Sequence, residues 1–323
     1  MKTIPQNQVS NISTILITGG CGFIGVNLIK YLTKFGYRIR ILDNLSTGQK
    51  KNLLNVGYQP EPNSLIIGDI RDQEAVNQAI KNVDAIVHLA AHTRVVESLS
   101  KPRDTWDINS KGTFNLLEAC RVTGIKTFIF ISTNAALGEQ IPPFDETKIP
   151  KPISPYGASK LAGEALCTAY CHSFGLNTVI LRIGNSYGPH SRHKGSVIAK
   201  FIKRAIQNEN LTIYGDGNQT RDFIHVNDVC QAIYLCIKNA KSIAGETFHI
   251  ASGRETTISE LANMILKISG NKIQIIHEPK QKGEVERNYS NIAKAQKVLG
   301  FKPEVELKDG ITDLWNWYTG AIR

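Results

Sequence analysis

The chain has 323 residues, 41% of them apolar and 20% charged, with a formal net charge of +10, which suits one large domain or two closely packed ones and excludes a disordered or fibrous polymer. Apolar stretches are strand-sized and broken by charge or histidine, as in VDAIVHLAA (83–91), so nothing reaches the ~20 residues of a membrane span and no membrane partner is expected. Lysines and arginines are scattered without a dense basic run, so the positive balance is read as surface charge plus a few cations at a phosphate site, with no nucleic acid partner.

The amino terminus, MKTIPQNQVSNIS, is polar and lacks the apolar core of a secretory signal, so a cytoplasmic location is expected. The first strand, TILIT (14–18), runs into TGGCGFIG (18–25) and then a helical pattern, FIGVNLIKYLTKFG (23–36). Gly19, Gly22 and Gly25 stand three apart between strand and helix. Such a turn lets backbone approach a pyrophosphate and aims the helix N–H groups, here at Phe23 and Ile24, toward it. Asp43 closes the next strand, RIRILD (38–43), eighteen residues beyond Gly25. An acid there accepts hydrogen bonds from ribose hydroxyls and repels a 2′-phosphate, favouring NAD over NADP, with Asn44 beside it. The third strand, SLIIG (64–68), leads to Asp69 and Ile70, expected to flank the adenine; the fourth, AIVHLA (85–90), leads to the small-residue turn of Leu89, Ala90 and Ala91.

A helical pattern over NSKGTFNLLEACRVTG (109–124) precedes the strand TFIFIS (127–132), which ends in STNAALG (132–138). YGASK (156–160) then places Tyr156 and Lys160 at i,i+4 on one helix face. Tyrosine titrates near 10 and is a poor base at neutral pH, so a neighbouring ammonium that favours phenolate makes the pair chemically useful. NTVILRI (177–183) is the sixth strand, and TFHIAS (247–252) is apolar enough to return to the same sheet. The fold class expected is α/β, a Rossmann-type doubly wound parallel sheet with a smaller α/β substrate lobe from the carboxyl part. The expected boundaries are 12–185 for the nucleotide domain, with a return at about 223–252, and 186–222 plus 253–323 for the lobe. The six cysteines show no CxxC and read as reduced, buried thiols; Cys167, Cys171 and His172 come closest to a metal cluster, but helical periodicity explains them and no metal is expected.

TGGCGFIG, YGASK and the hydroxyl-tipped strand together resemble the extended short-chain dehydrogenases/reductases, specifically the nucleotide-sugar epimerases and their relatives, over nearly the whole chain. The resemblance implies Tyr156 as catalytic base, Lys160 as its partner, Thr133 as the hydroxyl that binds sugar O4, and Asn109 as the helix asparagine beneath the site. It implies a UDP-sugar substrate. Asn185, in RIGNSYGP, would contact the diphosphate, and KGSVIAKFI, with Val197 and Phe201, would lie over the nucleotide. Tyr214 and Arg221, in LTIYGDGNQTRDFIHVNDV, would belong to the hairpin around the uracil, with Arg221 on the phosphates and Arg287 as a second phosphate-binding arginine. A homodimer through helices at 101–124 and 155–175 is also implied.

The family performs several reactions on one scaffold. Its dehydratases carry an Asp–Glu pair directly after the strand hydroxyl, and its decarboxylases acting on UDP-glucuronate usually keep the glutamate. Here the two positions are Asn134 and Ala135, neither able to transfer a proton, which leaves C4 epimerisation of a UDP-hexose through a 4-keto intermediate. The rivals are a decarboxylase or dehydratase using an acid from elsewhere, such as Glu139 or Asp145, and a redox-inactive NAD- or nucleotide-sugar-binding regulator. Leu137 departs from the family's tyrosine before Gly138, with altered packing expected. Asn288 matches a position where glucose-restricted epimerases carry a bulky aromatic, and a smaller residue leaves room for a 2-N-acetyl group. Arg192, in a polar loop with His190 and Ser191, would pair with a C6 carboxylate and keeps UDP-glucuronate open.

Overall fold

The computed structural model describes residues 12–192, 194–280 and 285–320. The polar amino-terminal stretch read above falls largely outside the described residues. In chain order the elements begin β1 (Thr14–Thr18), α1 (Phe23–Thr33), β2 (Arg38–Asp43), α2 (Lys51–Asn55), β3 (Leu65–Ile67), α3 (Gln73–Ala79) and β4 (Ala85–His88). They continue with α4 (Val95–Ser100), α5 (Pro102–Trp106), α6 (Gly112–Thr123), β5 (Thr127–Thr133), α7 (Pro155–Phe174), β6 (Asn177–Ile183), β7 (Asn185–Tyr187) and α8 (Val197–Ile206). The last are β8 (Leu211–Tyr214), β9 (Thr220–Arg221), β10 (Phe223–His225), α9 (Val226–Asn239), β11 (Thr247–Ile250), β12 (Thr256–Thr257), α10 (Ile258–Ser269), β13 (Ile275–Glu278), α11 (Ala293–Leu299) and α12 (Leu307–Thr319).

Seven strands form one parallel sheet in the order β11-β6-β5-β4-β1-β2-β3. Strands such as TILIT, β-branched at all positions but Leu16 and buried throughout, suit a sheet covered on both faces. One face packs on α1 and α9 through Val26, Leu28, Val229 and Ile233; the other packs on α3, α6 and α7 through Val76, Leu116, Leu117 and Cys167. A third core cluster joins α8, α10 and α12 around Ile202, Leu261 and Leu314. The chain reverses direction across the sheet between β1 and β4, and the crevice outside their carboxyl ends is where ligands bind in folds of this kind.

Two departures from the sequence reading sit beside that crevice. The helix expected from 109 begins at Gly112, because Asp107–Lys111 form a widened turn that carries Asn109 inward. Strand β5 runs one residue further than expected, to Thr133, whose hydroxyl caps a short 3₁₀ turn (Asn134–Ala136) by accepting from Ala135 N. The sequence cue at Thr133 thus does local structural work as well.

Candidate active site

The glycine-rich turn fits a dinucleotide. Gly19 has φ +69°, and a Cβ there would come within 2.8 Å of Ala90 N in the turn after β4. At Gly25 a Cβ would fall 2.4 Å from Gly19 O, so the turn closes only with glycine. Gly22 begins α1 with no side-chain cap and no acid in the first turn, leaving the N–H groups of Phe23 and Ile24 for an external anion. Asp43 is buried, and its two oxygens accept from Cys21 N at 2.9 Å and Leu45 N at 2.8 Å. Each oxygen keeps one further acceptor position, as a ribose diol requires. Burial raises the pKa of this carboxyl, opposed by those two N–H bonds. Asn44 donates to Asp69 at 2.8 Å, and Arg71 grips Asp69 at 2.9 Å through both Nε and Nη2, holding its carboxyl down at about 2. Ile70 is buried next to them, and Leu89, Ala90 and Ala91 are half-buried along the turn after β4.

On the opposite wall, Ser154 caps α7 by accepting from Gly157 N, and Pro155 occupies the first turn, so the helix starts where Tyr156 meets the end of β5. Burial pushes the Tyr156 phenol up to about 12, and the nearby Thr133 hydroxyl opposes that shift. Lys160 is only 4% exposed, and burial brings its ammonium down to about 8. Its Nζ stands 4.4 Å from the Phe130 ring centre and makes no hydrogen bond among the described residues, which leaves its donors for a bound ribose. Asn109 is buried and stitches the site together: its Nδ2 donates to His92 O at 3.0 Å and Ser159 Oγ at 2.9 Å, and its Oδ1 accepts from His92 N at 2.8 Å. The structure therefore brings Thr133, Tyr156, Lys160 and Asn109 to one place, across the crevice from the glycine turn.

The expected substrate contacts are distributed less evenly. Asn185 is exposed at the start of β7, and half-buried Val197 opens α8. Tyr214 is half-buried at the end of β8. Arg221 donates through Nη1 to Thr220 O at 2.7 Å and Val285 O at 2.8 Å, so it lies against the segment that carries Arg287. Three further residues are engaged in contacts of their own. Phe201 is 3% exposed on the inner face of α8, packed in the core cluster of Tyr187, Ile213 and Phe223, so it supports the lobe rather than lining an open surface. Arg192 donates to Tyr318 O at 2.9 Å, with its guanidinium 4.9 Å from the Trp317 ring centre, so it caps the end of α12 instead of waiting for a carboxylate. Arg287 forms a two-pronged pair with Glu255, at 2.7 Å from each oxygen, which holds its guanidinium at the rim. Leu137 is fully buried, consistent with a packing role.

A buried polar chain runs behind the site, and sequence reading missed most of it. Asn134 is 4% exposed; its Nδ2 donates to Ser290 Oγ at 2.9 Å and Asn288 Oδ1 at 3.2 Å, and its Oδ1 lies 3.1 Å from His249 Nδ1. His249 stands opposite Arg182 on neighbouring strands β11 and β6. Arg182 is paired with Glu164, Nη2 to Oε2 at 2.6 Å, and Ser132 also donates to that carboxylate. A histidine interrupting TFHIAS and an arginine interrupting NTVILRI were the available cues: polar residues inside buried strands need partners.

Comparison with known proteins follows the same lines. The model of the NAD dependent epimerase/dehydratase family matches residues 15–251. Over 316 residues the chain is 39% identical to a Methanocaldococcus jannaschii protein provisionally assigned as a UDP-glucose 4-epimerase, spanning 96% of this chain and 99% of that one. It is 34% identical to a dTDP-glucose 4,6-dehydratase of Streptomyces niveus, over 94% of this chain and 92% of the relative. Among solved structures, the UDP-N-acetylglucosamine 4-epimerase of Methanobrevibacter ruminantium, in complex with UDP-N-acetylmuramic acid, superposes with a TM-score of 0.89 at 30% identity, over 97% of this chain and all (100%) of that one. The glycine turn, the Tyr–Lys helix and the parallel sheet therefore belong to an enzyme of the NAD-dependent epimerase/dehydratase family, and NAD is its cofactor.

Proposed function

We propose that this protein interconverts the C4 epimers of a UDP-hexose and holds NAD as a bound prosthetic group. The observation that carries the reading is the end of β5: the Thr133 hydroxyl is near enough to the Tyr156 phenol to lower its pKa, and the next two side chains, Asn134 and Ala135, have no proton to transfer. The chemistry supplied by bound NAD is reversible hydride acceptance at a carbon. Asp43 and the glycine turn hold its adenosine and pyrophosphate end, and Lys160 holds the nicotinamide ribose.

Tyr156 removes the O4 proton, Thr133 keeps O4 in line with the phenol, and the Lys160 ammonium stabilises the phenolate. In the structure as described, burial raises Tyr156 and lowers Lys160, so charging both together is what makes the pair a base: each charge favours the other. The 4-keto sugar then turns about its diphosphate link, so that the opposite face of C4 would meet the hydride carrier, and Tyr156 returns the proton to O4. Asn185, Arg221 and Arg287 would hold the diphosphate through that turn; Arg287 exchanges Glu255 for phosphate when substrate enters.

The position of the rival acids supports epimerisation over elimination or decarboxylation. Glu139 is exposed beyond Gly138, and Asp145 Oδ1 accepts from Thr147 N at 2.9 Å and from its hydroxyl at 2.6 Å. A second copy of the chain is the proposed partner. Helices α4 to α6 leave Val96 (81% exposed), Leu99 (63%), Trp106 (53%) and Val122 (72%) as exposed apolar side chains, which would suit a helical interface. We place the enzyme in the cytoplasm, where nucleotide sugars are made and thiols stay reduced; Cys21, Cys120, Cys167, Cys230 and Cys236 are free and buried.

The deciding experiment incubates purified protein with UDP-glucose, UDP-N-acetylglucosamine and UDP-glucuronate and follows the sugars by NMR. The 4-epimer of at least one is expected. A 4-keto-6-deoxy sugar or a pentose as the stable product, with no epimer, would overturn the proposal.

A further inference from the structure

The loop that joins β7 to α8 brings a lysine of the substrate lobe to the glycine turn. Its backbone is held in place. Asn27 of α1 donates through Nδ2 to Pro189 O at 3.1 Å, Lys194 N donates to Ser191 O at 2.9 Å, and Lys194 O accepts from Lys203 Nζ at 3.4 Å. From that anchor the half-buried Lys194 side chain reaches back to β7, where its Nζ donates to Ser186 O at 2.8 Å and lies 3.4 Å from Ser186 Oγ. The same ammonium stands 4.5 Å from the centre of the Phe23 ring.

Phe23 is the first residue of α1, and helical side chains lean toward the amino end, so its ring lies where the free N–H groups emerge. That end is the positive pole of the helix, with no side-chain cap and no acid in the first turn to offset it. Lys194 adds a second positive charge there, and no carboxylate pairs with it among the described residues. Burial alone brings its pKa down to about 8, with no neighbouring charge to oppose the shift. Two neutral oxygens and a ring face compensate an enclosed ammonium only in part. A neutral donor would satisfy Ser186 O equally well; what lysine adds is charge, and the arrangement lacks the anion that charge would meet.

We propose that Lys194 is a cofactor-binding residue supplied by the substrate lobe, whose ammonium pairs with the NAD pyrophosphate at the start of α1 and so lets the lobe hold the cofactor in place. The inference rests on NAD as the cofactor and stands whichever reaction follows. An ammonium has three donors, and Ser186 O takes one of them, which leaves the others to turn toward phosphate oxygens as a point charge. The N–H groups of Phe23 and Ile24 come from the nucleotide domain alone. With a charge from the other lobe on the same anion, releasing the pyrophosphate strands an enclosed ammonium, which is a physical reason for NAD to stay bound.

The test compares the wild type with Lys194→Met, Lys194→Arg and, as a control, Lys200→Met, which removes an exposed lysine of α8. Each protein is freed of nucleotide by unfolding, charcoal treatment and refolding, then titrated with NAD, ADP-ribose and adenosine by calorimetry. Lys194→Met should weaken NAD and ADP-ribose, which both carry the pyrophosphate, by about 10- to 100-fold, and change adenosine less than about twofold. Lys194→Arg keeps the charge and should stay within about fivefold of wild type for NAD. The control should stay within about twofold. Titrated with UDP, NAD-loaded Lys194→Met should bind as the loaded wild type does. An NAD affinity of Lys194→Met within about threefold of wild type overturns the inference. An equal loss for adenosine also overturns it, by showing a purely structural role, and so does a loss confined to UDP, which would hand the cation to the substrate. Should Lys194→Met fail to refold, by melting curve, Lys194→Gln, which keeps a donor for Ser186 O without the charge, decides in its place.

Discussion

Lys160→Met is expected to make the nucleotide-free protein more stable at neutral pH while destroying its activity. The ammonium is 4% exposed, and its pKa falls from 10.5 to about 8, first through burial. Between those values the unfolded chain carries a proton that the folded chain has released, so stability rises with pH across that window. Below about pH 8 the folded protein bears the whole penalty, about 3 kcal/mol at ~1.4 kcal/mol per pH unit. Methionine carries no charge and keeps the unbranched stem. It forfeits only the contact of Nζ with the Phe130 ring at 4.4 Å, worth about 1 kcal/mol or less. The net gain should be about 2 kcal/mol at pH 7, shrinking toward zero or reversing as pH nears 10.5. The assay is equilibrium urea unfolding followed by fluorescence at pH 7, 8.5 and 10, on both proteins after unfolding, charcoal treatment and refolding to remove nucleotide. A methionine variant less stable at pH 7, or a difference that does not shrink as pH rises, refutes the picture of a buried, strained ammonium awaiting its ligand.

Other expectations follow from the same geometry. Tyr156→Phe should lower kcat by about 10²- to 10⁴-fold, the ordinary worth of a general base, with NAD content intact by HPLC of denatured protein; a rate within tenfold of wild type would remove Tyr156 from the chemistry. Gly25→Ala drives a Cβ to 2.4 Å from Gly19 O, so purified protein should release little or no NAD on heating, and a stoichiometric yield would show that the turn accommodates side chains after all. Replacing Val96 and Leu99, 81% and 63% exposed, with glutamate should shift sedimentation to that of a monomer. An unchanged sedimentation coefficient would place the interface elsewhere.

What could be read from sequence was local, and what could not was long-range. The glycine turn depends on neighbours within eight residues and the Tyr–Lys pair on one helical turn, so spacing alone exposed both. Strand β1 was legible because five consecutive buried residues leave a parallel sheet little alternative. The arginines were harder, because a guanidinium goes to whichever acceptor the fold delivers. Arg192 found the carbonyl of Tyr318, 126 residues away, and Arg287 found Glu255, 32 away. Phe201 was placed over the nucleotide by resemblance of its segment to the family's helix, and resemblance of a segment does not say which of its residues turn inward to the core.

Position 134 shows the same limit in the matter that chooses the reaction. Its lack of a carboxylate was visible, and that alone argues against elimination. Invisible was that its amide is already committed, to Ser290 and Asn288 on one side and His249 on the other, across 115 to 156 residues of chain. A carboxylate there would still accept from His249, but it has no N–H to give Asn288, whose amide would have to turn to answer it. On this scaffold, then, an acid placed for elimination and an amide that donates to Ser290 and Asn288 exclude one another. Asn134 reads as a choice between two uses of one site, because the same substitution that removes a proton donor supplies the N–H groups that tie Ser290 and Asn288 to the end of β5.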